Sequence, residues 1–561
     1  MGFQLSPGIN VSEVDLTTVV PSVLTTAGAF AGTFKWGPAD QVVLVDNEIT
    51  LSKTFGTPDS NSAVSFFTAA NFLSYGNNLS VIRAVGNNSK NATSNSSGIL
   101  IKNPEVFEYS YLTTGASNAY GPFVARYSGA LGNSLSVSII DTANTARSDL
   151  FSSAPSTSEY VSNMGGANDE IHIAVIDAGG LFTGTKNTVL ETFPFVSKAI
   201  DAINVNNGSS NYYKQVIFDQ SKYIYAVDPA DYSNTNSTWG STGANTSFAS
   251  ITPKYITYNL SAGADAVPSD ANTSSAFATF ANKETYDISL VLTGNASTTV
   301  QQYVIDNVVT VRKDCMAFVS PPASAVVNNS GSETSSIQSW LSSLSRSSSY
   351  VVADSGWKYQ FDVYNNVYRW MPLNADIAGL CVATDSAQDP WYSPAGFNRG
   401  AIKNCVKLAW NPSKTYRDTL YSAGVNPVVS FTGQGTVLFG DKTLQSKPSA
   451  FDRINVRRLF IVLEKAISMA AQYSLFEFND EFTRAQFVAM VVPFLREVQG
   501  RRGIYDFKVV CDTTNNTPQV IDSNQFVGDI YIKPARSINY IQLNFVAVGT
   551  GVDFNTIVGA V

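Results

Sequence analysis

Across residues 453–473, apolar side chains return at Leu459, Val462, Leu463, Ala466, Ile467 and Ala470. That spacing of three and four puts them on one helical face. Asn455 stands where an N-cap is expected. A second helix is predicted over 480–499, with Asn479 or Asp480 as cap, Pro493 as a kink and Gly500 near its end. Period two takes over in INYIQLNF, 538–545, where Ile541, Leu543 and Phe545 alternate with Tyr540, Gln542 and Asn544. With YDFKVVCD, 505–512, it is expected to complete a β-sheet against the two helices.

Nearer the start, residues 23–86 read as strand, strand, helix, strand: AGAFAGTF, QVVLV, a helix over 66–73, and LSVIRAV. This is an α/β unit. A similar alternation returns at YDISLVL (286–292), a helix-length segment at 299–312 and the strand CMAFVSPP, consistent with a right-handed parallel crossover. A polar helix over 335–344 and the strand SSYVVAD follow.

Between these stretches, NNSKNATSNSSG after Gly86 reads as a solvated linker and a domain boundary. Beyond it, SLSVSIID, EIHIAVID and KYIYAVD alternate with Ser/Asn/Gly-rich turns, and 192–205 looks helical. An inserted β-rich α+β domain is expected over 91–283, in one part or two, with 232–247 as an exposed loop or subdomain joint. At the extreme ends the pattern is arm-like. Pro7 and Pro21 bracket a β-rich run with Ile9, Val11, Val14 and Leu16, and after Gly549 and Gly551 the residues Val552, Phe554 and Val558 share one side. Strands without partners of their own need something to pair with.

At 561 residues, the chain exceeds what one hydrophobic core usually holds, so several domains are expected. Charged residues make up 14%, against about 25% in typical soluble chains. Such a surface suits burial against copies of itself, because interface cores are depleted of charge. Residues 1–340 carry 15 basic and 26 acidic side chains, net −11, and 341–561 carry 21 and 18, net +3. The acidic part offers no footprint for phosphate backbones, so no direct nucleic-acid binding is expected. Cys315, Cys381, Cys405 and Cys511 are scattered without metal-ligand or redox spacing and read as buried free thiols. No secretory signal is expected in MGFQLSPGINVSEVD, and no stretch approaches the roughly 20 apolar residues of a membrane span. A reducing cytoplasm is the expected place of synthesis.

Catalytic chemistry finds little to work with. The single histidine, His172, lies inside a strand and reads as structural. Residues 179–186, GGLFTGTK, have the order Thr-Lys where a phosphate loop needs Gly-Lys-Thr. The adjacent carboxylates Asp169 and Glu170, or Asp480 and Glu481, read as loop and cap residues. No catalytic, cofactor or metal residues are therefore assigned. Arg501 and Arg502 either complete a helix terminus or form a basic spot facing a partner. Arg457 and Arg458, in a first helical turn, oppose the dipole and need another reason, such as a carboxylate.

Three blocks occur in a telling order. SPGINVSEVD (6–15) leads into AGAFAGTFKWGPADQVVLV, Phe55-Gly56, and Phe66, Phe67, Phe72 and Leu73 before GNNLSVIRAVG. GQGTVLFGDKTLQSKPSAFDRINVRRLFIVLEKAIS (433–468) joins a glycine-rich turn, a strand, a polar loop and a helix, and GDIYIKPARSINYIQLNFV (528–546) closes the series. Together they resemble the sheath proteins of contractile (myovirus) phage tails, mainly over 1–90 and 370–561. The chain departs at 439–444, where FGDKTL replaces a WGARTL-like segment.

The resemblance implies an α/β (mixed α+β) fold: a discontinuous sheath core (23–90 and 284–548), an inserted protrusion (91–283), and extended β-arms at 1–22 and 549–561. It implies a virion protein, assembled in the host cytoplasm, that polymerises as stacked hexameric rings around a tail tube. Contraction would drive the tube through the host envelope without enzyme activity or cofactor. Implied partners are further copies, the tube protein, and baseplate and tail terminator proteins, with no membrane insertion. Ile9, Val11, Val14, Leu16, Val552, Phe554 and Val558 become candidate inter-subunit arm residues, and Arg457, Arg458, Arg501 and Arg502 candidate tube-facing or lattice contacts. A sheath of a related injection or secretion system is the alternative, although one chain carrying both core halves favours a phage tail. A bacterial surface or adhesion protein fits the Ser/Thr/Asn-rich middle but not the missing signal, and an α/β enzyme would need a pocket constellation.

Overall fold

The computed structural model describes residues 23–116, 119–141, 150–229, 237–540 and 542. The chain divides into two compact units, 1–476 and 477–561. The division at 476 falls inside the stretch expected as one core segment.

The first unit is organised by a seven-stranded sheet. Its order is Val425–Asn426, Val351–Asp354, Met316–Val319, Leu290–Leu292, Gly28–Gly32, Leu79–Arg83 and Val42–Val45. All neighbours run parallel except Val42–Val45, which is antiparallel to Leu79–Arg83. The central strand GAFAG pairs on one side with Leu79–Arg83 and on the other with Leu290–Leu292, more than 200 positions away. Both faces are buried, as parallel sheets require. Phe30, Leu290, Leu292, Met316 and Phe318 enter one core with the helices Ala63–Leu73 and Asn374–Ala387. Ala29, Ala31, Val291, Ala317 and Val319 enter the other, with Phe277, Val304, Val308 and Trp340. Gly28 leaves room for this packing, since a Cβ there would lie 2.6 Å from the Phe72 ring and 2.8 Å from Leu79.

The helix Glu48–Phe55, absent from the periodicity reading, is fixed by its cap: the Asn47 side chain accepts from the Thr50 amide. Helical residues do cover 299–312, as Thr298–Tyr303, Val304–Val309 and Thr310–Arg312. The helix Glu333–Leu344 matches the polar helix expected over 335–344.

The intervening segment builds a four-stranded antiparallel sheet in the order Thr188–Ser197, Glu170–Asp177, Leu135–Asp141, Tyr255–Asn259. Part of the expected helix over 192–205 is therefore an edge strand. Pro194 lacks a donor, which suits an edge, and register shifts at Ile171/Ile173 and Val175/Ile176 accommodate the strand. The expected solvated linker is also corrected. Asn91 and Thr93 are fully buried, because this stretch pairs with the returning chain: Lys90 with Ala264 and Thr93 with Ser261. Asn91 fastens it further, donating to the Ile101 and Ala125 carbonyls and accepting from the Ile101 amide. Within the tract expected as an exposed loop or subdomain joint, Trp239 is buried and its indole donates to the Ala249 carbonyl. The core resumes before 284, since Ala276, Phe277 and Phe280 belong to its second cluster.

Where the insertion leaves the core, Arg83 spreads its guanidinium over the Phe34, Gly37 and Ser128 carbonyls at 2.7–2.9 Å. Trp36 meets Tyr127 and Phe182 edge-on. Burial lowers Arg83 to about 10, yet three carbonyls keep its charged form solvated.

The last helix of the first unit, Ile454–Ala471, buries Leu459, Leu463, Ala466 and Ala470 on the expected face. Its N-cap is Arg453 rather than Asn455, which lies in the first turn and donates to the Trp391 carbonyl.

In the second unit, Asp480 caps the helix Glu481–Gly500 by accepting from the Thr483 amide at 2.8 Å, and Pro493 lies inside the helix. The strand Ile504–Val510 pairs antiparallel with Asp529–Pro534. Asn516 locks the turn region through the Val527 amide and carbonyl. Ile541 and 543–545 lie outside the described residues.

Candidate functional site

Several of the buried titratable groups singled out in the sequence are held by hydrogen bonds within the chain. Among the described residues, no group of three His, Cys, Asp or Glu could hold a metal. His172 is 1% exposed, stacks on Phe151, accepts from the Phe195 amide through Nδ1 and faces the Ser153 carbonyl through Nε2. Burial lowers its pKa, so the ring stays a neutral strut.

The GGLFTGTK loop curls around a carboxylate of its own. Asp177 accepts from the amides of Leu181, Phe182 and Thr183 and from the hydroxyls of Ser134 and Thr183. These donors hold Asp177 below the usual range against burial. The amides that a phosphate would need are already taken.

Asp169 is likewise a structural anchor, taking the Ser158 amide and hydroxyl and the Ser197 hydroxyl. All four cysteines are free, three of them buried and Cys405 half-buried. Burial pushes Cys315 and Cys381 up to about 12, which removes thiolate reactivity.

The two arginine pairs part company. Arg458 is 4% exposed and forms a two-pronged pair with Asp385, at 2.6 and 2.5 Å. Burial opposes its charge, but Asp385 outweighs that and raises its pKa. Arg457 is 6% exposed, with its guanidinium 3.9 Å from the Phe451 ring centre and 4.3 Å from that of Tyr350. Both side chains are buried within the unit, and for Arg458 the Asp385 carboxylate is the partner that its first-turn position needed, while Arg457 donates to the Tyr350 hydroxyl. Arg501 and Arg502 are exposed at the end of Glu481–Gly500, and Arg501 reaches Glu497 only at 3.5 Å.

The FGDKTL departure is also structural. Asp441 is buried, accepting from the Ser393 and Tyr421 hydroxyls. Lys442 donates to the Tyr421 carbonyl. Phe439 packs with Phe397 and Phe431.

Surfaces missed by the periodicity reading include a half-exposed aromatic face on the sheet Trp357–Asp362, Val367–Pro372 and Lys407–Leu408. There Tyr359 meets Trp370 and Tyr368, under the Lys407 ammonium. Alternation in WKYQFD signals such a face, but cross-strand neighbours are invisible until register is known. The arm residues Ile9, Val11, Val14, Leu16, Val552, Phe554 and Val558 lie outside the described residues.

Comparison with known proteins gives this geometry its context. Residues 25–84 match the Tail sheath protein Gp18 domain III N-terminal region, 266–444 the Phage tail sheath protein central domain, and 446–547 the Phage tail sheath C-terminal domain. The tail sheath protein of Vibrio phage KVP40 is 35% identical over 99% of this chain and 100% of its own length. That of Enterobacteria phage T4 is 33% identical over 99% of each. The fold is similar to the contracted sheath complex of the extracellular contractile injection system PVC, with a TM-score of 0.52 at 11% identity over 99% of this chain and all of that one. It is also similar to a sheath tail protein of Listeria innocua, with a TM-score of 0.52 at 10% identity over 91% and 95%. On the strength of its full-length relatives, the chain belongs to the phage tail sheath protein family.

Proposed function

We propose that this chain is the structural subunit of a contractile phage tail sheath. Identity of 33–35% across essentially the whole length of two phage tail sheath proteins carries the reading. That likeness to phage proteins favours a phage tail over an injection-system sheath, for which only the fold speaks.

The subunits stack as hexameric rings around a tail tube, capped by baseplate and terminator proteins, in the virion after assembly in the host cytoplasm. Work is stored as a kinetically trapped extended lattice, which needs no active site. The internally satisfied His172, Asp177 and Asp169 are consistent with a non-enzyme.

The segments 1–22 and 549–561 act as arms. Ile9, Val11, Val14, Leu16, Val552, Phe554 and Val558 set register as each arm adds to a sheet in a neighbour. Each main-chain bond is worth only about 0.5–1.5 kcal/mol net, and linkage at high effective concentration supplies the rest. The exposed Arg501 and Arg502 face the tube or the lattice.

Deleting residues 1–20 is expected to abolish striated tubes in electron micrographs while leaving a folded monomer. Intact tubes from the deletion would remove the arm mechanism but leave the sheath assignment standing.

A further inference from the structure

We propose that Lys358 and Asp376 condense into an intramolecular isopeptide bond, tying the strand Trp357–Asp362 to the helix Asn374–Ala387. Both side chains are fully buried, with Nζ 2.8 Å from Asp376 Oδ1. Tyr75 donates its hydroxyl to the same Oδ1 at 3.2 Å, and Lys358 also donates to the Lys403 carbonyl at 2.8 Å. The other carboxylate oxygen, Asp376 Oδ2, is buried without a hydrogen-bond partner. An ionised carboxylate with an orphaned oxygen is a costly thing to keep in a core.

Chemistry follows from that imbalance. Burial raises the Asp376 pKa against the pull of Lys358, which lowers the cost of protonating the carboxylate; the first step is movement of one Nζ proton across the 2.8 Å contact to Oδ1. Nζ then adds to Cγ. The Tyr75 hydroxyl stabilises the negative charge that develops on Oδ1. In the tetrahedral adduct, where the nitrogen and both oxygens share Cγ, Oδ2 takes one proton directly from the nitrogen and the one first carried by Oδ1, and departs as water, leaving Oδ1 as the carbonyl oxygen. One N–C bond forms, one C–O bond breaks, and nothing is oxidised or reduced. Close confinement in the core supplies the reactant proximity.

The product satisfies every group that the ion pair leaves strained. Oδ1 becomes the amide oxygen and keeps Tyr75 as its donor. The remaining N–H keeps the Lys403 carbonyl as its acceptor. The orphaned oxygen is the one lost.

Local packing fits the site closely. Lys403 lies over the Tyr75 ring at 4.6 Å and donates its amide to the Tyr75 hydroxyl at 2.7 Å. Gly379 lets the same ring lie against the helix. The other fully buried Lys–Asp pair shows the contrast. Lys198 reaches Asp141 at 2.7 Å, but the second Asp141 oxygen accepts from the Ile251 amide at 2.9 Å, so that carboxylate has both oxygens occupied and remains an ion pair.

The test is mass spectrometry of the full-length chain, taken from assembled tubes and from the soluble fraction, denatured and digested with trypsin. The expected result is peptide 347–369, uncut after Lys358, joined to peptide 370–399, together one water lighter than their sum. The intact chain should be lighter by the same water, and Asp376→Ala should restore both cleavage and full mass. Linkage in tubes alone would also support the bond, as one completed on assembly. Separate peptides, cleavage after Lys358 and full mass in both preparations would overturn it and leave a buried ion pair.

Discussion

Arg458→Ala would strand the Asp385 carboxylate in the core, a change worth about 3–5 kcal/mol when a buried pair loses one partner. Urea unfolding of the first unit should register this as a lowered midpoint. Arg458→Lys should recover only part of it, because the two-pronged geometry is lost. A second residue gives a pH dependence. Asp354 is 1% exposed, and burial pushes its pKa up to about 8, against donation from Ser320 and Gly356. The folded state therefore holds this proton where the unfolded chain, near 3.8, has released it. The stability due to Asp354 is then full below about 4 and declines as pH rises towards 8, by up to about 1.4 kcal/mol per pH unit. Unfolding midpoints measured across that window should show the decline, and Asp354→Asn should flatten it. The need of Arg457 and Arg458 for a partner was legible in their first-turn position. Asp385, 73 positions away, was not, since nothing local points to it.

At the scale of elements, the helix Asn374–Ala387 depends on a close approach that only glycine permits. A Cβ on Gly379 would sit 2.3 Å from the Tyr75 ring, so Gly379→Ala should cost about 1–3 kcal/mol by overpacking. Thermal unfolding would check this, with Gly396→Ala unsuitable as a control because its backbone is left-handed at φ 94°. Ala378→Gly, in the same helix, is a better one, losing about 1 kcal/mol through propensity plus its small buried contact. The long helices were legible because their apolar period is sustained. Thr188–Ser197 was not: its alternation is broken by the bulged register and Pro194, and over so short a run the spacing mimics a helix. Glu48–Phe55 escaped because it is short, with only Leu51 and Phe55 buried. The buried NNSKNATSN stretch escaped because composition reports side-chain polarity, whereas Asn91 spends its amide on backbone groups.

For the whole molecule, charge reversal at Arg501 and Arg502 separates folding from assembly. Both are exposed, and surface changes of this kind usually move stability by no more than about 0.5 kcal/mol. Arg501→Glu with Arg502→Glu is expected to leave the unfolding midpoint nearly unchanged and to reduce co-sedimentation with tube protein or the yield of tubes. Unchanged assembly would make the pair a plain helix terminus. The sheath family was legible from a few ordered blocks, while the way the insertion grips the core through Arg83 and Trp36 was not, because those contacts join residues that no local pattern relates.

The central strand Gly28–Gly32 also dictates an order of events during synthesis. It is made early, yet its neighbour Leu290–Leu292 leaves the ribosome only after roughly 260 further residues, about 13–52 s later at 5–20 residues per second. Throughout that interval one edge of the growing sheet has no partner, with the insertion emerging and able to fold beside it. A nascent chain halted before residue 290 should therefore recruit chaperones, and one halted after residue 430 should not.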